Sequence, residues 1–349
     1  MNRKTICFIS ETGRGDRPIL DPSVRYRAYH SAEMLLGYGH FCAIYSATQF
    51  YKNPCFDYDV YVFHRPNIAR SMFSEVITAL RSMGRRLIAD YDDLIFGDGE
   101  LALISSSVKN GTLTPELAIS SFASNLEALR SFDRITASTE PLADRVREYN
   151  PGAEVMVVPN IVPDSVISFH ESLGTPFRRR ASSIIGYFAG TKSHNKDFPV
   201  VEAALHRVLS ENSRLQLLVV GPVTVPQSIA SLPNVSVTPA VNYLRLPSLM
   251  SLCNTVIAPL EKSAFNACKS RVKFLEAALS GCRLIASPIP DMQMIGADHL
   301  ELADNLNDWY EALSEPISGV EQQALAERNF DFLKAHRSID GLVTLGDLQ

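Results

Sequence analysis

The sequence predicts an α/β protein composed of two Rossmann-like domains, each built on a parallel sheet. Short apolar runs of strand length alternate with amphipathic stretches of helix length, which predicts parallel strands joined by right-handed helical crossovers. The alternation occurs in two series, and a segment of linker composition separates them. A length of 349 residues also suits two domains better than one.

The predicted strands can be placed one by one. The first series contains Thr5–Ser10, Phe41–Tyr45, Val60–His64, Arg86–Tyr91, Arg134–Ala137 and Glu154–Val158. The second series contains Ile184–Phe188, Leu215–Val220, Val235–Thr238, Thr255–Pro259 and Arg283–Ser287. Helical patterns lie between the strands, as in Ser23–Gly39, Ser71–Met83 and Pro199–Leu209.

The domain boundaries follow from these patterns. We expect an N-terminal domain over residues 1–162, a linker over 163–182, a second domain over 183–325 and a helical segment over 326–349. The linker is marked by prolines, a glycine and three consecutive arginines. Because ligands bind at the carboxyl ends of strands in open α/β sheets, we expect the two domains to face each other across a cleft.

Composition excludes several classes of protein. A formal net charge of -5 argues against a nucleic-acid partner, which needs a basic surface. No apolar stretch is long enough to cross a bilayer, and the apolar run behind the basic start, Ile6–Ile9, is too short for a signal peptide. We therefore expect a cytoplasmic protein, with peripheral contact at the inner membrane face left open. The six scattered cysteines favour buried free thiols, and the oligomeric state is not readable.

The first candidate site is the loop that follows the strand Ile184–Phe188. Gly190 would let backbone N–H groups approach a ligand, and the following helix start adds partial positive charge. Lys196 adds a full charge, so the loop is a plausible diphosphate cradle. The alternative interpretation is a solvated loop with a helix cap. The predicted donor-binding residues here are Gly190, Thr191, Ser193, His194 and Lys196.

The second candidate is a loop and the helix behind it, from Asn266 to Gly281. Lys269 and Lys273 are four residues apart near a helix start, where cations oppose the helix dipole unless an anion is bound. Glu276 could pair with Lys273 or accept hydrogen bonds from sugar hydroxyls. We assign Asn266, Lys269, Ser270 and Lys273 to donor binding and Glu276 to the catalytic set.

The third candidate is the acidic sequence that ends the strand Arg86–Tyr91. Asp90, Asp92 and Asp93 are costly at a buried strand end unless they bind a ligand, which places Asp92 and Asp93 in the catalytic set. A divalent metal, a helix cap and an acceptor hydroxyl are alternative partners, and a tightly held metal is not expected.

The fourth candidate lies in the N-terminal part of the chain. The loop after the first strand has only fragments of a dinucleotide fingerprint, since the third glycine is missing. Arg25 and Arg27 are predicted to bind an anionic acceptor or phosphates, with surface charge as the alternative. His64 ends the third strand and is predicted to bind acceptor, although a structural role is common for a lone histidine.

Several of these motifs resemble those of GT-B glycosyltransferases, in particular the retaining family 4 of bacterial polysaccharide synthesis. Gly190, Ser193 and Lys196 match a family loop in which Thr191 replaces the usual arginine. Glu276 matches the second glutamate of the family Glu-x7-Glu pattern, and Cys268 stands at the first. The resemblance covers nearly the whole chain; looser matches in the first half are Ser23–Arg27, Ser138–Leu142 and Val157–Asn160.

The resemblance implies a retaining transfer of sugar from a nucleotide-sugar donor, held by the second domain, to a glycan or lipid-linked glycan bound by the first. Lys196 and Lys269 would neutralise the leaving diphosphate, Glu276 would bind ribose or donor sugar, and Asp92 and Asp93 would position the acceptor hydroxyl. No cofactor or metal is implied. A catalytically inactive binding subunit and a nucleotide-sugar epimerase remain as alternatives.

Overall fold

The computed structural model describes residues 3–174, 183–190, 196–315 and 317–348, which form two compact units. The first unit combines Met1–Pro163 with Cys268–Ser270 and Arg337–Gln349. The second unit combines Asp164–Ala267 with Arg271–His336. The chain therefore returns to the first unit twice after leaving it.

The sheet of the first unit has six strands, all paired in parallel in the order β2-β1-β3-β4-β5-β6. The strands are β1 Thr5–Ser10, β2 Phe41–Ser46, β3 Val60–His64, β4 Arg86–Tyr91, β5 Arg134–Ala137 and β6 Glu154–Val157. The central strands are buried on both faces, as expected for a parallel sheet covered by helices. The six predicted strands are confirmed to within one residue at either end.

The helices of the first unit connect these strands. They are α1 Pro22–Val24, α2 His30–Gly37, α3 Ala47–Lys52, α4 Phe73–Ser82, α5 Gly99–Leu103, α6 Ser106–Lys109, α7 Pro115–Arg130 and α8 Glu140–Tyr149, with 3₁₀ turn Pro18–Leu20. The predicted helix Ser23–Gly39 is interrupted by a π-helical turn over Arg25–Tyr29. This turn buries Tyr26, Arg27 and Ala28 in succession.

The second sheet is also parallel, in the order β12-β11-β10-β7-β8-β9. Its strands are β7 Ile184–Phe188, β8 Gln216–Val220, β9 Val235–Thr238, β10 Thr255–Ala258, β11 Arg283–Ala286 and β12 Glu301–Leu302. The two residues of β12 are too few to give a strand pattern in the sequence, whereas the other five strands were predicted. Core side chains such as Val201, Leu205 and Trp309 cover this sheet.

The remaining helices belong mostly to the second unit. They are α9 Asp164–Leu173, α10 Pro199–Glu211, α11 Gln227–Ala230, α12 Leu246–Met250, α13 Ala264–Ala267, α14 Val272–Leu279, α15 Pro290–Gln293, α16 Leu306–Ser314, α17 Gly319–Ala335 and α18 Asp340–Gly346, with 3₁₀ turn Tyr243–Arg245. The fold class predicted from the sequence, α/β with two Rossmann-like parallel sheets, is confirmed.

Two stretches differ from the predicted domain boundaries. Residues 163–182, predicted as linker, begin with α9, which buries Ile167 and brings His170 Nδ1 within 3.0 Å of the Leu279 carbonyl oxygen in the second unit. Residues 326–349, predicted as one helical segment, are divided between α17 in the second unit and α18 in the first. Gly341 of α18 lies so close to β6 that a Cβ atom there would be 2.9 Å from the Val157 oxygen.

Candidate active site

The carboxyl edge of the first sheet gathers the polar residues singled out in the N-terminal half. His64 and Asp90 are paired in register at the ends of β3 and β4, and Asp92 and Asp93 follow β4 directly. Parallel strands present their carboxyl ends on one edge, so these side chains, far apart in sequence, become neighbours.

Arg27 forms a buried ion pair with Asp90. The guanidinium donates from Nε and Nη2 to the two carboxylate oxygens at 3.0 and 2.5 Å, and Nη1 donates to the Val158 oxygen and to Asn160 Oδ1. Thr136 Oγ1 donates to the same carboxylate at 2.6 Å. Burial acts to lower the pKa of Arg27, but the charge of Asp90 outweighs it and the pKa is raised. Four of its N–H groups are thus hydrogen-bonded inside the first unit, and the acceptor-binding role of Arg27 stays a prediction.

Asp92 is buried, and its carboxylate contacts the side chains of His64 and Arg65. His64 Nε2 and Arg65 Nε both contact Asp92 Oδ1, at 2.9 and 2.6 Å. Burial alone would raise the pKa of Asp92, but Arg65 and His64 together hold it well below its usual range. Because Asp92 is ionised, His64 Nε2 is the donor in this pair.

His64 is therefore an inward-facing residue. Its side chain is buried, and its Nδ1 atom has no hydrogen-bond partner among the described residues. His64 supports Asp92, and its predicted contact with acceptor stays a prediction. A strand-end histidine was visible in the sequence, but its direction depended on the order of β3 and β4.

Asp93 is the member of this acidic group that reaches the surface. Its side chain is 41% exposed, and its Oδ2 atom accepts from Arg65 Nη2 at 2.6 Å. Arg65 Nη2 also donates to Ser23 Oγ at 2.9 Å. The structure therefore separates the acidic cluster into a structural residue, Asp90, a buried anchor, Asp92, and an accessible carboxylate, Asp93.

Arg25 lies on the same side of the unit in the π-helical turn. It is half-buried, and its Nη1 atom donates to the Ile19 oxygen at 3.3 Å. The guanidinium also lies 5.9 Å from the centroid of the Tyr26 ring. Its predicted contact with acceptor stays a prediction.

Residues 268–270 pack with the first unit, although sequence analysis placed them in the second domain. Thr139 Oγ1 donates to the Cys268 oxygen at 2.9 Å, and Asn160 Nδ2 donates to Ser270 Oγ at 2.8 Å. Burial raises the pKa of Cys268 to about 11, so the thiol is neutral at pH 7. Lys269, between them, is half-buried and makes no ion pair with any described residue.

In the second unit the structure describes only part of the first candidate loop. Gly190 is exposed directly after β7, and Lys196 is exposed before α10, without an ion pair to any residue that the structure describes. Thr191, Ser193 and His194 lie outside the described residues. Asp197, which sequence analysis passed over, is buried, and its Oδ1 accepts from the Glu261 N–H at 2.9 Å.

Asn266 is buried and hydrogen-bonds to residues of two loops, the one before α10 and the one after β10. Its Nδ2 atom donates to Asp197 Oδ1 at 3.0 Å and to the Glu261 oxygen at 2.8 Å. These bonds fix the loop after β10 against the start of α10. The amide nitrogen is therefore committed to the protein, and the donor-binding role of Asn266 stays a prediction.

The start of α14 carries its own anion. Asp291 accepts from the Arg271 N–H at 2.6 Å and from Arg271 Nε at 3.0 Å, so a carboxylate already lies at the helix N-terminus. Lys273 Nζ lies 2.6 Å from Glu276 Oε2, the local pair that sequence analysis kept open. Both side chains are partly buried, and Glu276 Oε1 has no hydrogen-bond partner in the described chain.

Among the described residues no group of three or more His, Cys, Asp or Glu side chains is arranged to hold a metal ion. No helix in this part of the chain has the length and apolar character to cross a bilayer. The six cysteines are free thiols, as predicted.

The fold is similar to that of several solved enzymes. Trehalose-phosphate synthase (UDP-forming) from Burkholderia vietnamiensis matches with a TM-score of 0.66 at 10% identity, over 100% of this chain and 97% of that chain. Sucrose-phosphate synthase from Thermosynechococcus elongatus matches with a TM-score of 0.64 at 13% identity, over 99% and 98%. The fold is that of the GT-B glycosyltransferases.

A third GT-B structure is longer than this chain. S. aureus TarM, in complex with Fondaparinux, alpha-GlcNAc-glycerol and UDP, matches with a TM-score of 0.56 at 11% identity over 82% of this chain. The chain spans 55% of the TarM chain. No protein-family model matches the sequence, and no curated protein matches it either. The GT-B likeness therefore rests on the fold.

Proposed function

We propose that this chain is a glycosyltransferase that moves a sugar from a nucleotide-sugar donor to a glycan or lipid-linked glycan in cell-surface polysaccharide synthesis, in the cytoplasm and with retention of configuration. The observation that carries the proposal is the GT-B fold over the full chain, matched to a UDP-forming enzyme over 97% of its length. UDP is also the nucleotide in the TarM complex, so a uridine diphosphate sugar is the first donor to try.

The donor diphosphate is assigned to two lysines. Lys196 is exposed at the turn between β7 and α10, and Lys269 is half-buried; neither has an ion-pair partner among the described residues. A lysine without a local anion is available to stabilise the charge that develops on a leaving diphosphate. Glu276, whose Oε2 is held by Lys273, is assigned to ribose or the donor sugar through Oε1.

The acceptor hydroxyl is assigned to Asp93. It is the accessible carboxylate of the acidic group that follows β4, and its Oδ1 atom has no hydrogen-bond partner in the described part of the chain. Asp92 and His64 support it from the buried side and do not reach the acceptor themselves. No metal is required, because lysines neutralise the diphosphate.

A binding subunit without turnover is the second candidate, and Cys268 favours it. This residue occupies the place where the resembling family has its first glutamate, but it is only 2% exposed and its thiol is neutral at pH 7. A buried neutral thiol cannot accept hydrogen bonds from sugar hydroxyls as a carboxylate does. Binding of a donor without any transfer would favour this candidate.

The first experiment measures thermal unfolding with UDP-, GDP-, TDP-, ADP- and CMP-sugars, with and without EDTA. A donor at 100 times its dissociation constant adds about 2.7 kcal/mol of stability, which raises the midpoint by several degrees. We expect a shift with one nucleotide class, unchanged by EDTA and lost in Lys196→Ala and in Lys269→Ala. Lys262→Ala is the matched control, since Lys262 is an exposed lysine paired with Asp304.

The outcomes separate the candidates. A donor shift accompanied by sugar transfer supports the transferase, and a shift without transfer supports the binding subunit. Absence of a shift with every donor contradicts both. An equal loss of the shift in Lys262→Ala would indicate general electrostatics instead of the assigned lysines.

A further inference from the structure

Arg65 connects three groups at the carboxyl edge of the first sheet. Its Nε atom donates to Asp92 Oδ1 at 2.6 Å, and its Nη2 atom donates both to Asp93 Oδ2 at 2.6 Å and to Ser23 Oγ at 2.9 Å. The planar guanidinium can make these bonds together because its N–H groups point in fixed, divergent directions. Nothing in the sequence pattern had distinguished this arginine from its neighbours.

The backbone of Arg65 is in an uncommon conformation. Its φ angle is +56°, in the left-handed region that few residues other than glycine adopt. The Arg65 N–H donates to the Asp90 oxygen at 2.8 Å, which ties this turn to the end of β4. A left-handed arginine persists where its surroundings over-determine it, and here its own side-chain bonds do so.

The residues of this network differ in how much of each side chain is exposed to solvent. Asp92 is buried and shares one oxygen between His64 and Arg65, whereas Asp93 is 41% exposed and has one oxygen held and one without a partner in the described residues. The Arg65 side chain is 21% exposed. Asp93 is therefore more accessible to a ligand than either Arg65 or Asp92.

We propose that Arg65 is a positioning residue, which fixes the Asp93 carboxylate in the orientation that receives the acceptor hydroxyl. This role rests on the proposed transferase function. Buried Asp92 serves as the second anchor of the guanidinium, so that Arg65 cannot follow Asp93 into solvent. Without the clamp, Asp93 would sample several rotamers and the acceptor hydroxyl would lose its fixed hydrogen-bond acceptor.

The test is a double-mutant cycle of Arg65→Asn and Asp93→Asn. Asparagine accepts the left-handed backbone of Arg65 better than most residues do, so that the guanidinium is removed with little added strain. The donor found by thermal shift is used with octyl glycosides as acceptor probes. Kinetics are run well below the unfolding midpoint of each variant, because loss of Arg65 weakens the support of buried Asp92.

We expect Arg65→Asn to raise the acceptor KM roughly ten- to hundredfold, the range of a hydrogen bond to a charged group, with the donor KM unchanged. In the Asp93→Asn background the same change should have little further effect, since Arg65 acts through Asp93. Arg65→Lys should raise the acceptor KM less than Arg65→Asn does, because an ammonium keeps the positive charge but cannot hold Asp92 and Asp93 at the same time as the planar guanidinium does. Arg70→Asn is the matched control: Arg70 pairs with Glu11 and contacts neither Asp92 nor Asp93.

Four results would overturn parts of this assignment. Additive losses in the cycle, or an unchanged acceptor KM in a folded Arg65→Asn variant, reject the positioning role of Arg65 and leave the transferase intact. Equal rises in the donor and acceptor KM point to a general structural effect and also reject it. A wild-type chain that transfers no sugar to any acceptor rejects the transferase itself, and the role of Arg65 with it.

Discussion

The carboxyl edges of the two sheets use charge in different ways. In the first unit arginines pair with aspartates from distant parts of the sequence, Arg27 with buried Asp90 and Arg65 with buried Asp92 and accessible Asp93. In the second unit Lys273 pairs with Glu276 on the same helix, Arg271 pairs with buried Asp291, and Lys196 has no ion-pair partner within the described residues.

The difference shows what a cluster of charged residues in a sequence means. The charged groups of a buried cluster pair with one another first, since an unpaired charge in the interior is costly. Atoms left over after this pairing, such as an oxygen of Asp93 in the first unit and the ammonium of Lys196 in the second, remain available to a ligand. The number of acidic or basic residues at a strand end is therefore a poor measure of a binding site.

Arg27→Met should produce the largest change, because it breaks the most buried pair. Removal of one partner from a buried ion pair costs about 3–5 kcal/mol, and Thr136 would be the one side-chain donor left to the Asp90 carboxylate among the described residues. Chemical denaturation at pH 7 measures the effect on the free energy of unfolding. A loss below about 1 kcal/mol would mean that water replaces the guanidinium. The carboxyl edge of the first sheet would then be more accessible to solvent than the burial of Arg27 and Asp90 indicates.

Low pH should destabilise the first unit through His30. Burial, the largest cause, lowers the pKa of His30 to about 4 from an ordinary value of 6.5, although its Nδ1 hydrogen bond to the Ile161 oxygen acts in the other direction. Between pH 6.5 and 4 the unfolded chain binds this proton and the folded chain does not. Stability should therefore fall as pH falls through that window, by about 3 kcal/mol in total.

His30→Gln tests this expectation, since glutamine can still donate to the Ile161 oxygen but does not titrate. The variant should lose most of the pH dependence between 6.5 and 4, whereas the exposed His206→Gln control should retain it. In the second unit His170, whose pKa is also lowered by burial, should supply a further part of the slope. If the pH dependence of stability survives in His30→Gln and disappears in His170→Gln, it arises from the second unit and the expectation for His30 is wrong.

Lys273→Met should have the smallest effect. Its pair with Glu276 joins residues three positions apart on one helix, and pairs of this kind contribute about 1 kcal/mol or less. The donor-induced thermal shift should be retained, because the ammonium is committed to Glu276. Loss of that shift would show that Lys273 turns from Glu276 to the diphosphate, and the contrast with Lys196 would disappear.

The sheets were predictable from the sequence, whereas the side-chain partners were not. Strands such as Val60–His64 and Arg86–Tyr91 contain short apolar runs, Val60–Phe63 and Leu87–Ala89, so the sequence pattern predicts them. The pairing of Arg27 with Asp90 depends on the π-helical turn and on the strand order, and neither leaves a pattern in a single sequence. The first turn of α14 has no carboxylate of its own, so an anion from elsewhere in the chain could have been expected at this helix start. That Asp291 supplies it is visible only in the fold.

The last residues of the chain have a consequence for synthesis and for engineering. Helix α18 belongs to the first unit, and its Gly341 packs on β6, while the whole second unit is encoded between them. The amino-terminal unit therefore cannot acquire its complete core on the ribosome until translation has passed residue 348. An expression clone that stops after Pro163 lacks this helix, and an affinity tag fused behind Leu348 directly follows a side chain that is buried in the core of the first unit.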